Sequence, residues 1–313
     1  MMRRVLSIDG GGVKGVFPAS FLATIEDSVG GGIADYFDLI VGTSTGGIIA
    51  LGLGLGLQAR DLLAFYENWG PQIFGRGPRR WRALRSLFGA KYSSEPMRRA
   101  AESVFGNRLL GESRKRLVIP SFNMETGEVH IWKTSHERRL ERDYKCRAVE
   151  VALSTAAAPT YFPTYKSSSG TPVIDGGMWA NNPLMVAMVE AVGVLGWPRD
   201  SLRVLSLGCT TAPLDVKWSR SGKLAWAFKI VDVFMTAQAA SAYGMSQHLV
   251  PDRSNIVRIS PVVAKNRFAL DRACDIDALK GLGDFEARKS LPQLRSAFFD
   301  GIPAEEFVPV HKI

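Results

Sequence analysis

Asp38-Leu39-Ile40-Val41-Gly42-Thr43-Ser44-Thr45-Gly46-Gly47-Ile48-Ile49-Ala50-Leu51 joins two apolar runs through a glycine-flanked serine. The first run predicts a buried strand and the second a buried helix, with a sharp corner between them. G-x-S-x-G at a strand-to-helix corner is a nucleophile elbow. Gly42 and Gly46 matter because the turn brings backbone and helix too close for a Cβ. They also let Ser44 stand at a helix N-terminus. The stretch therefore names a nucleophile, Ser44, and a reaction class, acyl transfer.

Working outward, Arg4-Val5-Leu6-Ser7-Ile8-Asp9 predicts a strand and Val16 to Ile25 a helix. A further helix is expected from Ala59 to about Trp69. Strands are expected at 117–120 and 129–132, with a Thr126-Gly127 turn between them. A small-residue helix from Val149 to Ala158 stops at Pro159. Pro172-Val173-Ile174-Asp175 reads as a strand, Pro183 to Leu195 as a helix, and Arg203 to Leu207 as a strand. A long helix is expected from Lys223 to about His248, then a strand over 256–259 and one or two helices from Asp275. Strands alternating with helices predict an α/β fold with a mainly parallel central sheet covered on both faces. No repeat, low-complexity run or linker divides the chain, so residues 1–313 are expected to form one domain. Its helical C-terminal part would be 215–313.

The chain has 313 residues, and its 46% hydrophobic content argues against disorder, while its formal net charge of +9 points to anionic partners. Its 3 cysteines, Cys146, Cys209 and Cys274, match no zinc or redox spacing and fit a reducing compartment. Asp9 interrupts what would have to be the apolar core of a signal peptide, so none is expected. Leu39 to Leu57 is uncharged and about long enough to span a bilayer. Ser44 and the interspersed glycines favour a buried strand plus a buried helix instead. The expected location is cytoplasmic, peripheral to a membrane.

A serine hydroxyl is not ionised at neutral pH and needs a base. The four histidines, His130, His136, His248 and His311, do not lie in glycine-flanked loops after strands. Asp175 does: it ends a strand and precedes Gly176-Gly177. In an open α/β sheet, functional groups gather at the carboxyl ends of strands, and Ser44, Asp175 and Gly10-Gly11-Gly12 all fall at such ends. A Ser44–Asp175 dyad follows, with desolvation raising the carboxylate's pKa towards that of a useful base. The amides of Gly10, Gly11 and Gly12 are candidates to hold an oxyanion, and Lys14 adds positive charge beside them. Gly10-x-Gly12-x-x-Gly15 also fits a dinucleotide fingerprint, which would make the chain an oxidoreductase. That fingerprint expects an acidic residue at the end of the second strand, where this chain has Gly42-Thr43-Ser44.

Together, Asp9-Gly10-Gly11-Gly12-Val13-Lys14-Gly15, Gly42-Thr43-Ser44-Thr45-Gly46 and Asp175-Gly176-Gly177 resemble the patatin-like phospholipase family. The resemblance runs from Val5 to about Leu195 and takes in 156–162 and Asn181-Asn182-Pro183. It implies a three-layer α/β/α fold and hydrolysis of fatty acyl esters of phospholipids through an acyl-enzyme, with no metal or cofactor. Ser44 would be the nucleophile, Asp175 the base, and Gly10, Gly11 and Gly12 the oxyanion loop, supported by Lys14, Gly42, Gly46 and Gly176. Lys14 stands where many members carry Arg, which keeps the charge but loses the planar fork. The chain is also similar to bacterial anti-phage effectors of this family that a cyclic oligonucleotide switches on. The implied partners are a phospholipid surface and such an activator, with homo-oligomer assembly left open.

Arg76 to Phe88 mixes five arginines with Trp81, Leu84, Leu87 and Phe88. It reads either as a membrane-surface segment or as a lid whose apolar residues pack home. Trp226, Phe228, Val231, Phe234 and Met235 read as core or subunit contacts, or as the lining of an acyl-chain channel.

Overall fold

The computed structural model describes residues 2–75, 89–213, 230–299 and 303–313. β1 (Arg3–Ile8) leads through a loop into α1 (Val16–Val29), and β2 (Leu39–Gly42) turns into α2 (Thr45–Gly54) and α3 (Ala59–Phe74). α4 (Glu95–Phe105), β3 (Arg116–Asn123), β4 (Glu128–Lys133) and α5 (Ala148–Thr155) follow. Next come β5 (Tyr165–Lys166), β6 (Pro172–Asp175), α6 (Gly177–Ala180) and α7 (Leu184–Val189), and then β7 (Leu202–Leu207), α8 (Ile230–Leu249), β8 (Ile256–Ile259) and α9 (Ile276–Leu294). The Arg76–Phe88 segment, Trp226, Phe228 and the start of the expected 223–248 helix lie outside the described residues.

The sheet order is β5-β6-β3-β2-β1-β7-β8, with β4 also paired to β3. β3, β2, β1, β7 and β8 are parallel. β4, β5 and β6 run antiparallel to their neighbours. β3 outruns β2 along the sheet. Its residues 116–118 pair with β2, its residues 121–123 pair with β6, and β4 takes the opposite edge. β2 and β6 therefore share one edge of β3 and run towards one another. The elbow after Gly42 and the end of β6 at Asp175 meet head-on.

Alternate strand side chains feed two cores. Leu6, Ile8, Ile40, Leu117, Ile119, Leu205 and Leu207 pack with α1, α2, α3, α4, α5 and α9. Val5, Leu39, Val41, Val118, Leu202 and Val204 pack on the other face with Leu184, Ala187 and Met188 of α7, flanked by Tyr243 and Leu249 of α8. Helices thus cover both faces, the condition under which parallel strands read as continuous apolar runs. Phe17, Phe21, Leu22 and Ile25, expected on one face of α1, are all buried. α9 lies along α1, where Ser20 Oγ donates to Lys280 O at 2.8 Å and Thr24 Oγ1 donates to Asp284 Oδ1 at 3.0 Å.

Some boundaries differ from the sequence pattern. α3 runs on to Phe74 through Pro71. α5 ends at Thr155, before Pro159, and α7 passes at Glu190 into a π-helical turn. The uncharged 39–57 run folds inwards as β2 and α2, and among the described residues no helix is long and apolar enough to cross a membrane.

Candidate active site

Ser44 sits between β2 and α2 with φ 55° and ψ −123°. This left-handed backbone favours glycine and costs a serine roughly 1–3 kcal/mol, so the surroundings must hold it. Ser44 N–H donates to Thr155 Oγ1 at 3.0 Å, and that hydroxyl donates to Pro120 O at 2.6 Å. Thr43 Oγ1 donates to Ala180 O at 2.6 Å. The elbow is thereby tied to α5, β3 and α6. A Cβ on Gly42 would stand 2.1 Å from Gly46 O, and one on Gly46 would stand 2.3 Å from Ile8 O. Neither position admits a side chain without moving backbone.

Asp175 Oδ2 accepts a hydrogen bond from Ser44 Oγ at 2.6 Å. Its Oδ1 accepts from Gly177 N–H at 2.6 Å, at the start of α6. Gly176, the residue between, is the N-cap of α6, and a Cβ there would stand 2.3 Å from Pro120 O. Burial pushes the Asp175 carboxyl up to about 6, against the pull of the Ser44 and Gly177 hydrogen bonds. Among the described residues no histidine bonds to Ser44. His136 Nε2 pairs with Glu190 Oε1 at 2.8 Å, and His311 Nε2 with Arg138 O at 2.8 Å.

The three loop glycines are not equivalent. Gly10 N–H donates to Asn181 O at 2.9 Å, and Gly11 N–H donates to Thr45 Oγ1 at 3.2 Å. Gly12 N–H has no acceptor among the described residues, and Gly12 lines the cavity that Ser44 and Asp175 share. Thr45 N–H, in the first turn of α2, likewise has none, and Thr45 lines the same cavity. Sequence reasoning missed Thr45. Its signal was its position directly after the nucleophile, where helix-start amides lack intrahelical partners.

Sequence reasoning also missed Arg258. Its Nη2 donates to Asp9 Oδ2 at 2.6 Å, its Nη1 to Asp9 Oδ1 at 3.1 Å, and Nη1 also to Ser206 Oγ at 2.7 Å. The pair anchors the residue just before the glycine loop. Burial raises the Asp9 carboxyl's pKa, and Arg258 opposes the rise. The available signal was a lone arginine inside the apolar strand Ile256-Val257-Arg258-Ile259. Lys14 turns elsewhere: Nζ donates to Thr210 O at 3.3 Å, and the residue lines a second cavity rather than the one around Ser44.

The Ser44 cavity has a volume of about 110 Å³, and its walls include Ile48, Phe65, Ile73, Phe74, Met97 and Phe162. Phe74, Tyr92 and Phe162 pack as a ring cluster with centroids 5.5–6.0 Å apart. Such walls suit a hydrocarbon chain and exclude water from the buried pair. Met235 of α8 also lines the cavity, whereas its neighbour Phe234 is exposed. A nucleophile, a carboxylate and two amides without acceptors, in one apolar cavity, make an arrangement suited to acyl transfer.

A family model described as "Patatin-like phospholipase" matches residues 6–188. Similar proteins include a "cGAMP-activated phospholipase" from Pseudomonas aeruginosa. It is 33% identical over 300 residues, covering 92% of this chain and 88% of that protein. Proteins of the same description from Escherichia coli and Vibrio cholerae are 39% and 38% identical, each over 60% of this chain. The aligned stretches span only 55% and 57% of those two proteins.

Proposed function

This chain belongs to the patatin-like phospholipase family, and on that premise we propose that it hydrolyses fatty acyl esters of phospholipids through Ser44 and Asp175. The observation that carries this reading is the buried 2.6 Å hydrogen bond from Ser44 Oγ to Asp175 Oδ2. Ser44 Oγ attacks the ester carbonyl as its proton passes to Asp175. Gly12 N–H and Thr45 N–H stabilise the oxyanion, while the Gly10 and Gly11 amides hold the loop in place. The intermediate collapses, and the leaving alkoxide takes the proton from Asp175. Asp175 then deprotonates water, which attacks the acyl-Ser44 ester, and the intermediate collapses to free the fatty acid as Ser44 Oγ takes the proton back from Asp175. A carboxyl with a pKa of about 6 is ionised at neutral pH yet more basic than an exposed aspartate. The apolar cavity takes the acyl chain. The net charge of +9 draws the protein to an anionic bilayer.

A second reading places the same hydrolase under the control of a cyclic oligonucleotide. Its support is the description "cGAMP-activated" shared by three relatives. In both readings residues 1–313 act as one unit.

Acyl-enzyme trapping tests the first reading. Protein mixed with p-nitrophenyl butyrate and quenched in acid should gain one butyryl group by intact mass, located on Ser44. Ser44→Ala should gain none. Equal acylation of Ser44→Ala would remove Ser44 from the mechanism.

A further inference from the structure

A second cavity of about 670 Å³ adjoins the glycine loop, and the proposed hydrolysis leaves it without a task. It lies at the carboxyl ends of three neighbouring parallel strands. Asp9 follows β1, Thr210 follows β7 and Ser260 follows β8, and all three line it. Crevices at such ends are where open α/β sheets bind ligands. The volume falls in the range of small-molecule sites and is several times the 110 Å³ of the Ser44 cavity.

Its chemistry is cationic with flat walls. Lys14, Lys265 and Arg258 line it, and the carboxylate on the wall, Asp9, is already neutralised by Arg258. Three basic side chains and one carboxylate therefore line it. The contact shown for Lys14 Nζ is a single long one, to Thr210 O. Tyr243 and Phe268 supply aromatic faces, and Thr210 and Ser260 supply hydroxyls. Cations beside hydroxyls suit a phosphodiester, whose charge survives at every physiological pH.

The cavity also shares walls with the catalytic one, through Tyr161, Asn181, Met235 and Leu270. Two of these hold the glycine loop: Asn181 O accepts from Gly10 N–H at 2.9 Å, and Leu270 O accepts from Val13 N–H at 2.8 Å. A ligand resting on Asn181 and Leu270 bears on Gly10 and Val13, which flank Gly12, whose amide is proposed to meet the oxyanion.

We propose that this second cavity is a phosphodiester-binding site that sets the geometry of the Gly10–Gly12 loop. The proposal rests on the reading of Ser44 as nucleophile and of that loop as oxyanion holder. Two sources share the chemistry: the head group of a lipid substrate and a cyclic oligonucleotide.

Equilibrium dialysis of the Ser44→Ala protein, which holds ligand without turnover, separates them. The probes are cyclic GMP–AMP and glycerophosphoglycerol. Saturable binding of cyclic GMP–AMP identifies a regulatory site, and binding of glycerophosphoglycerol a head-group subsite. In either case Lys265→Glu and Lys14→Ala, each confirmed as folded by circular dichroism, should weaken binding at least tenfold. No saturable binding of either probe, or binding that both substitutions leave unchanged, overturns the proposal. Butyryl trapping on wild-type Ser44 needs no phosphodiester, so it tests the hydrolase reading independently of this site.

Discussion

At Asp175 one physical cause, burial, acts on both activity and stability. A carboxyl raised to about 6 must lose its proton before it can accept one from Ser44. Single-turnover acylation should therefore climb with pH through about 6 and level off above it. Stability runs the other way. The folded state holds this proton more tightly than the unfolded chain, so stability is greatest below the unfolded value near 4 and declines as pH rises through about 6. Asp175→Asn removes the buried charge. Thermal or urea unfolding at about pH 8 should show the variant more stable than wild type by up to about 3 kcal/mol, the gap closing towards pH 4, with turnover lost. Ser44 shows a related tension, since its left-handed backbone serves the elbow rather than the fold. Ser44→Gly should be more stable than Ser44→Ala by about 1 kcal/mol, both being inactive. These two residues were legible in the sequence because glycines flank them at strand ends. Arg258 and Thr155 were not, because their partners Asp9 and Ser44 lie far away along the chain and only folding joins them.

Between elements, the decisive contact is β6 against β3. Apolar runs reveal strands but not their direction, so the sequence placed Asp175 at a strand end without showing that β6 faces β2 head-on. The two-residue strand β5 is too short to leave a periodic signal. The junction of β2, β3 and α5 is stitched by Thr155, whose hydroxyl accepts from Ser44 N–H and donates to Pro120 O. Thr155→Val keeps the side chain's shape and leaves both backbone groups unpaired. We expect a loss of about 1–3 kcal/mol in urea unfolding. The acylation rate should fall more than the affinity for ester, because the elbow shifts while the apolar cavity stays.

Over the whole molecule, the alternation of strands and helices made the layered α/β fold readable, and three motifs in order made the family readable. The return of α9 onto α1 was not readable, because it joins segments more than 250 residues apart through small residues and single hydrogen bonds. The surplus of positive charge acts at this scale too. Hydrolysis of anionic vesicles should fall as salt rises and the Debye length shrinks from about 10 Å at 0.1 M, while p-nitrophenyl butyrate turnover stays level. The most direct test of the central claim is fatty-acid release from phosphatidylglycerol-containing vesicles by wild type, Ser44→Ala and Asp175→Asn, each with and without cyclic GMP–AMP. The account predicts release by wild type and at most a thousandth of that rate from either variant. Undiminished release by Ser44→Ala or Asp175→Asn, or no release by wild type in either condition, would contradict it.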